Sequence, residues 1–317
     1  LKDYTNHGLR EIKRTSYGGV LNSFKKSSSS LIGVIEGGGT KFVIGVADFS
    51  GTIIETKKVK TETPEKTLTS IFKFFDFYSQ IVGFGIGTFG PLNLDPDSED
   101  LGQTLDTPKK GWKGVNIKKV LERRYQVSVA IDTDVNVTAL GCYKTHDYKS
   151  PALISYITVG TGIGIGSVFD GKIMRGRAHS EAGHSIFGIH TNEKSFCPFH
   201  NNCVEGLASG HAFKSNFSAQ GDQIPISDPL WNFETTMLSL LIYNTLTFLA
   251  PDFIFIGGGL INASIKKPLI DKVQKYSNNY LPNTNHAELN EKIRLLPKEN
   301  NCLIGAYFLF LNQHEGT

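Results

Sequence analysis

Three glycine-rich turns constrain the fold of this chain more than any other feature of its sequence. They span residues 36–41, 160–166 and 257–259, and each follows a short apolar stretch. The first two are also followed by a second apolar stretch, so the pattern is strand, glycine turn, strand. Its repetition predicts an internal duplication, in which two α/β halves with βββαβα-like order flank a cleft.

The same turns predict a nucleotide site. Backbone N–H groups without intervening side chains can surround a phosphate. A glycine turn alone is often only a turn, but three at strand ends can converge on one nucleotide. The two standard nucleotide-binding motifs are not matched. No glycine of the second turn starts the dinucleotide-binding pattern Gly-x-Gly-x-x-Gly. Residues 166–172 match the Gly-x4-Gly-Lys part of a P-loop, but Ile173 stands where the P-loop needs Ser or Thr. The candidate nucleotide contacts are Gly38, Gly39, Thr40, Lys41, Gly160, Thr161, Gly162, Gly257, Gly258 and Gly259.

Composition excludes several classes of function. The 317 residues are 39% hydrophobic, which suffices for one large or two medium domains. Residues 1–30 hold six Lys and Arg against two acids, so the rest of the chain has 27 basic and 28 acidic residues. That balance predicts no nucleic-acid partner, and no apolar run is long enough to predict a membrane partner. We expect residues 1–30 to be a disordered or organelle-targeting leader, and the protein to be cytoplasmic unless that leader directs it elsewhere.

Asp134 is the candidate catalytic base. It lies between a predicted strand at residues 127–131 and a predicted helix at residues 137–143, at the boundary of the two halves. A carboxylate there could accept a proton from a hydroxyl group that attacks a phosphorus atom. The alternative is a structural role as helix N-cap, which Asp132, Thr133 or Asp134 could fill.

Residues 181–205 concentrate metal-ligand chemistry. The segment contains two of the four cysteines, three histidines and three glutamates. Cys197, His200 and Cys203 follow one another at x2 spacing, and His184 can complete a tetrahedron, which predicts a closed structural zinc site. The alternatives are a disulfide between the two cysteines, unrelated surface residues, or His190 in place of His184.

Glu181 and Glu205 bracket this predicted metal loop. Carboxylates held in that way suit bidentate contacts with neighbouring sugar hydroxyls, and the metal would position them. Their alternative role is solvated surface charge.

The motifs together resemble those of the ROK family of sugar kinases, and within it the bacterial-type, zinc-containing fructokinases. The resemblance extends from residue 31 to the end and is carried by Glu36-Gly-Gly-Gly-Thr-Lys41, Thr88-Phe-Gly-Pro91, Thr107-Pro-Lys-Lys-Gly-Trp112, Thr133-Asp-Val-Asn136, Val159-Gly-Thr-Gly-Ile-Gly164, Glu181-Ala-Gly-His184 and Cys197-Pro-Phe-His-Asn-Asn-Cys-Val-Glu205. The chain departs from the pattern at Gly38, where alanine is usual, and at Ser180 and His211, where proline is common.

The resemblance implies an actin-like, ribonuclease H-like ATPase fold of two domains around a cleft. The expected divisions are residues 31–131 plus 297–317, and residues 132–296 with the zinc loop. It further implies ATP with Mg²⁺, a bound sugar, Zn²⁺ and a homodimer. Asp134 would be the base. The implied sugar contacts are Gly90, Asn136, Glu181, His184 and Glu205, and the implied zinc ligands are His184, Cys197, His200 and Cys203.

The expected activity is an ATP-dependent fructokinase in which Asp134 deprotonates the C6 hydroxyl of fructose. A broader hexose kinase acting on mannose or glucose shares every motif. A ROK-type repressor would need a DNA-binding module, and residues 1–30 have no helix-turn-helix periodicity. A non-catalytic sugar sensor would be expected to lack the base, which this chain retains.

Overall fold

The computed structural model describes residues 30–146, 148–188, 193–217, 224–225, 227–228, 230–296 and 300–314. Of the predicted leader, only Ser30 falls among them. His190, the alternative zinc ligand, lies outside the described residues.

The first five strands form one mixed sheet in the order β3-β2-β1-β4-β5. Their bounds are Leu31–Gly37 (β1), Lys41–Ala47 (β2), Ile53–Lys60 (β3), Ile81–Thr88 (β4) and Ser128–Thr133 (β5). β1 pairs antiparallel with β2 and parallel with β4, and β4 pairs parallel with β5. β1 and β4 are largely apolar along their length, as expected of strands that are covered on both faces.

The other five strands form a second sheet in the order β10-β9-β6-β7-β8. Their bounds are Leu153–Val159 (β6), Ile163–Phe169 (β7), Lys172–Ile173 (β8), Phe253–Gly257 (β9) and Ile293–Leu295 (β10). β6 pairs antiparallel with β7 and parallel with β9, and β9 pairs parallel with β10. If the strands of each half are numbered from one to five along the chain, the first sheet has the order third, second, first, fourth, fifth. The second sheet has the same order when it is read from β8 to β10, which confirms the predicted duplication.

The helices pack against both sheets. Their bounds are Pro64–Phe75 (α1), Ile117–Tyr125 (α2), Asp134–Thr145 (α3), Val204–Ala208 (α4), Gly210–Phe217 (α5), Leu230–Leu249 (α6), Lys266–Ser277 (α7), His286–Lys292 (α8) and Asn301–Gln313 (α9). α3 and α9 share one apolar core with residues from both sheets, so this helix pair joins the two halves. None of the described helices combines the length and apolar character needed to cross a bilayer.

Glycines allow α3 and α9 to touch backbone to backbone. A Cβ atom on Gly305 would overlap the carbonyl oxygen of Val137, and one on Gly141 would overlap that of Asn301. Side chains at these two positions would force the helices apart. Part of the glycine content of this chain therefore serves helix packing rather than phosphate binding.

The second glycine turn is shorter than predicted. We expected a turn over residues 160–166, whereas β7 begins at Ile163 and includes Gly164 and Gly166. A Cβ atom on Gly166 would overlap the backbone of Val135 in α3. These glycines are in the strand because the helix approaches it closely, a tertiary cause that is not visible in local sequence.

Candidate active site

The three glycine turns meet at the carboxyl ends of β1, β6 and β9. The hydroxyl oxygens of Thr40 and Thr161 lie 3.3 Å apart, so the first turn contacts the second. A Cβ atom on Gly160 would lie 3.8 Å from the amide nitrogen of Gly259, so the second turn adjoins the third. Gly258 has φ +110°, and a side chain there would overlap the carbonyl oxygen of Val159. The predicted contacts of the nucleotide are thus brought together in a row.

Several amides in this row are free to bind an anion. Gly38 donates to the carbonyl oxygen of Lys41 at 2.9 Å, and Gly160 donates to that of Gly162 at 2.9 Å, which closes the two hairpins. Within the described part of the chain, the amides of Gly39, Thr40 and Thr161 donate no hydrogen bond. Unpaired N–H groups at adjacent turns form the type of concavity that binds phosphate.

Asp134 is the first residue of α3, directly after β5. The helix is capped by Thr133, whose hydroxyl oxygen accepts from the amide of Asn136 at 3.3 Å. Asp134 Oδ1 accepts from the amide of Val135 at 3.0 Å. Since Thr133 is the cap, the second carboxylate oxygen of Asp134 is not used in capping and remains available for chemistry.

The surroundings of Asp134 suit a general base. Burial in the cleft raises the pKa of Asp134 to about 7, and the negative charges of Glu36 and Glu181 add to this effect. Burial also raises the pKa of Glu36, an effect that the charge of Lys41 partly offsets. The charges of two carboxyl groups therefore act on Asp134, and its pKa of about 7 is near the pH at which a base is most effective.

Asn136 is held by a buried ion pair. Its Nδ2 donates to Asp132 Oδ1 at 2.7 Å, and Asp132 Oδ2 accepts from Arg175 Nε at 2.7 Å. Asp132 and Asn136 are both buried. Because the ionised Asp132 can only accept, the amide orientation of Asn136 is fixed. Arg175 also donates to the carbonyl oxygen of Leu94 at 3.2 Å, so it connects the segment after β8 with the loop after β4.

Glu181, His184 and Glu205 form a second group of predicted sugar contacts. His184 Nε2 lies 3.6 Å from Glu205 Oε1 and 4.0 Å from Glu181 Oε2. Glu205 Oε2 accepts from the amide of Ile163 at 2.8 Å, so it is fixed to the start of β7. A side chain on Gly162 would overlap this carboxylate. Burial raises the pKa of Glu181.

His179 joins this group to the loop that contains Gly90. The amide of Leu92 donates to His179 Nε2 at 2.9 Å, and His179 Nδ1 lies 3.4 Å from Glu181 Oε1. Since Nε2 accepts a hydrogen bond, the neutral ring carries its hydrogen on Nδ1, which faces the Glu181 carboxylate. A Cβ atom on Gly90 would lie 3.5 Å from Glu181 Oε1, so predicted sugar contacts from both halves face each other.

The predicted zinc ligands form one cluster. The ligand atoms of His184, Cys197, His200 and Cys203 all lie within 4.8 Å of one another. His184 Nδ1 is 3.6 Å from each of the two sulfur atoms, and His200 Nδ1 is 3.5 Å from Cys197 Sγ. Both cysteines are free thiols, so the alternative disulfide is not formed. His184 faces the cluster with Nδ1 and the glutamates with Nε2.

Sequence reasoning missed four residues at this site: Asp132, Arg175, His179 and Lys109. Asp132 precedes the candidate base by two residues and was considered only as a helix cap. Arg175 and His179 lie in a short basic segment with no periodicity. Lys109 lies next to Gly39. Their partners are distant in sequence, so only the folded structure reveals them.

Known proteins resemble this chain in sequence and in structure. The ROK family model matches residues 32–313. A fructokinase from Lactococcus lactis subsp. cremoris is 33% identical over 284 residues, which cover 87% of this chain and 96% of that protein. The ROK hexokinase of Thermus thermophilus superposes with a TM-score of 0.71 at 20% identity, over 90% of this chain and all of that one.

A ROK family glucokinase from Streptomyces griseus, solved in complex with glucose and AMPPNP, superposes with a TM-score of 0.66 at 22% identity. The match covers 87% of this chain and 98% of that one. These structural similarities confirm the predicted two-sheet, actin-like α/β fold. With the family match extending from β1 to the end of α9, the chain belongs to the ROK family.

Proposed function

We propose that the protein is an ATP-dependent fructokinase that phosphorylates D-fructose at O6. The observation that carries the proposal is Asp134, a carboxyl group with a pKa of about 7 at the first turn of α3. It lies in the cleft between a row of glycine turns and a group of sugar-binding candidates. The similarity to a fructokinase over 87% of the chain supports the choice of sugar.

In the proposed reaction, Asp134 accepts the proton of the C6 hydroxyl of fructose. The sugar oxygen forms a bond to the γ-phosphorus of ATP, the bond from that phosphorus to the β–γ bridging oxygen breaks, and ADP leaves. Asn136, Glu181, His184 and Glu205 would orient the sugar through hydrogen bonds with its hydroxyls. Free amides at Gly39, Thr40 and Thr161 would stabilise the charge on the phosphoryl oxygens.

The residues present fit both implied metals. Glu36 is a partly buried carboxyl group beside the first turn, where it would hold Mg²⁺ together with the phosphates of ATP. The separations of 3.5 to 3.6 Å between Nδ1 and Sγ atoms agree with the roughly 3.6 Å expected between ligands on a tetrahedral zinc ion. Mg²⁺ would neutralise phosphate charge, and Zn²⁺ would fix the loop that presents His184 to the sugar.

A broader hexose kinase is the second candidate. The similar structures include a hexokinase and a glucokinase, and that glucokinase was solved with glucose and AMPPNP. A coupled assay of ADP release with fructose, mannose and glucose separates the two candidates by the ratios of kcat/KM. Turnover dependent on fructose that is lost in Asp134→Asn supports the proposal. A higher kcat/KM for glucose or mannose than for fructose would favour the broader hexose kinase. Sugar binding without turnover would favour a sensor.

Domain limits and assembly belong to the same proposal. We place the smaller domain at residues 31–131 plus 297–317 and the larger at residues 132–296. The packing of α9 on β1 and β4 of the first sheet supports this division. We further propose a cytoplasmic homodimer, which light scattering on the full chain and fluorescence microscopy in the native cell would test.

A further inference from the structure

The loop that carries Lys109 is fixed firmly against the first glycine hairpin. Trp112 is buried and stacks on Phe42 with ring centroids 5.5 Å apart. Its indole nitrogen donates to the carbonyl oxygen of Glu62 at 2.9 Å. The amide of Trp112 donates to the carbonyl oxygen of Lys109 at 3.1 Å. The position of Lys109 is therefore set by a buried anchor three residues away.

The side chain of Lys109 lies over Gly39. A Cβ atom built on Gly39 would be 2.8 Å from Cε and 3.3 Å from Nζ of Lys109. Any larger residue at position 39 would have to push the end of the lysine away. The absence of a side chain there lets the ammonium group approach the turn whose amides are free to bind an anion.

The ammonium group of Lys109 lacks a counter-ion in the part of the chain that the structure describes. Among the described residues it makes neither an ion pair nor a hydrogen bond, although the side chain is half-buried. Burial lowers its pKa. The nearby Lys113, by contrast, pairs with Asp106 at 3.0 Å and is exposed. A partly desolvated cation without a partner, beside unpaired amides, indicates that an anionic ligand completes the site.

The order of the turns shows which part of a nucleotide would lie here. The second turn contacts the first through Thr40 and Thr161 and adjoins the third through Gly160 and Gly259. The first turn follows Glu36, whose charge raises the pKa of Asp134. Because the first turn is the one beside the candidate base, the phosphoryl group bound there is the one that is transferred.

We propose that Lys109 binds the terminal phosphoryl group of the nucleotide and holds it over Gly39 during transfer. The proposal deepens the proposed kinase function and rests on it for the identity of the nucleotide. A lysine acts on phosphate as a compact positive charge, so Lys109 would stabilise the negative charge on the phosphoryl oxygens both before and during transfer.

Calorimetric titrations with AMPPNP and with ADP test the proposal directly. Lys109→Met is expected to weaken AMPPNP binding about 10-fold to 100-fold, the range for loss of a charged hydrogen bond. Binding of ADP, which lacks the terminal group, is expected to change less than about 3-fold, well below that range. Lys109→Arg keeps the charge and should restore part of the AMPPNP affinity. Lys110→Met, an exposed neighbour in the same loop, is the matched control and should match the wild type.

The outcomes separate this proposal from the kinase proposal. The role of Lys109 would be overturned if Lys109→Met lost affinity for AMPPNP and ADP equally, or lost affinity for neither. A wild type that binds neither nucleotide would overturn it as well. If Lys109→Met loses affinity for AMPPNP but not for ADP, while the wild type shows no turnover with any hexose, the role of Lys109 would be supported and the fructokinase activity rejected. Thermal unfolding midpoints equal to that of the wild type exclude misfolding of the variants as the cause.

Discussion

Nε2 of His184 lies 3.6 Å from Oε1 of Glu205, while Nδ1 of the same imidazole lies 3.6 Å from the sulfur atoms of Cys197 and Cys203. One ring therefore connects the cysteine cluster with a candidate sugar-binding carboxylate. A metal on Nδ1 leaves a hydrogen on Nε2, which can donate to Glu205 or to a sugar hydroxyl. The dual role predicted for His184 is geometrically consistent, because each ring nitrogen serves one function.

Loss of the proposed zinc ion is expected to impair sugar binding more than chemistry. Cys203→Ser should abolish zinc binding and raise KM for fructose about 10-fold to 100-fold, because His184 would lose its fixed orientation. Elemental analysis and steady-state kinetics measure the two effects. Cys142→Ala, which alters a buried cysteine outside the cluster, should retain zinc and KM. A zinc-free Cys203→Ser protein with unchanged KM would contradict this prediction.

The activity is expected to rise with pH through neutrality. A base must be ionised to accept a proton, and the pKa of Asp134 is raised to about 7. The value of kcat/KM should therefore be low at pH 5 and level off above about pH 8. Asp134→Asn should lower kcat about 100-fold to 10,000-fold while sugar binding is kept. A flat profile of wild-type kcat/KM between pH 5 and 8 would argue against Asp134 as the base.

The stability of the protein should change in the opposite direction. The pKa of Asp134 in the folded protein lies above the ordinary carboxyl value of 3.8, so the folded state binds the proton more tightly than the unfolded state. The contribution to stability is complete below about pH 4 and is lost as pH rises through about 7. Asp134→Asn should therefore raise the unfolding temperature at pH 8 and leave it nearly unchanged at pH 4. A lower unfolding temperature at pH 8 would contradict this sign.

Arg175 and Arg177 are expected to differ sharply in their effects on stability and on sugar binding. Arg175 pairs with the buried Asp132, whereas Arg177 pairs at the surface with Asp95 and Asp97. Arg175→Ala should destabilise the protein by about 2 to 4 kcal/mol, because it leaves a buried carboxylate unpaired, and should raise KM for sugar by releasing Asn136. Arg177→Ala should have no measurable effect on either quantity. Equal effects in urea unfolding would refute the distinction.

The contact between α3 and α9 should not tolerate a methyl group. Gly305→Ala places Cβ against the carbonyl oxygen of Val137, and we expect a loss of about 3 kcal/mol or more in the free energy of unfolding. Gly176→Ala is the control, because a Cβ atom at Gly176 meets nothing within 4 Å. Urea titration of both variants measures the difference, and a Gly305→Ala protein as stable as the control would show that the helices separate easily.

The sequence predicted much of this organisation because the main signals are local. The glycine turns, the apolar strands and the cysteine and histidine spacing are each contained in a few residues. A helix after β5 was also predicted, at residues 137–143, whereas it is longer and spans Asp134–Thr145. The helix begins earlier because Thr133 caps it, a choice among three candidate caps that depends on side-chain orientation.

Non-local contacts could not be predicted in the same way. The pairing of Arg175 with Asp132 joins the segment after β8 to β5, and the approach of Lys109 to Gly39 depends on the anchoring of Trp112. Gly164 and Gly166 were wrongly assigned to a turn. They are glycines because α3 lies close to the strand, and the position of α3 is not visible in the local sequence. In each case the determining partner is far away in sequence, where periodicity and propensity carry no information.

The core of the first sheet is completed by the last described helix. The hydroxyl group of Tyr307 in α9 donates to the carbonyl oxygen of Phe49 at 3.1 Å, across 258 residues of sequence. During synthesis on the ribosome, β1 and β4 are made before α9, the helix that packs on both of them. The nascent chain must therefore keep the apolar face of these strands from aggregating until α9 has been made, so demand for chaperones should depend on how fast the residues between β4 and α9 are synthesised.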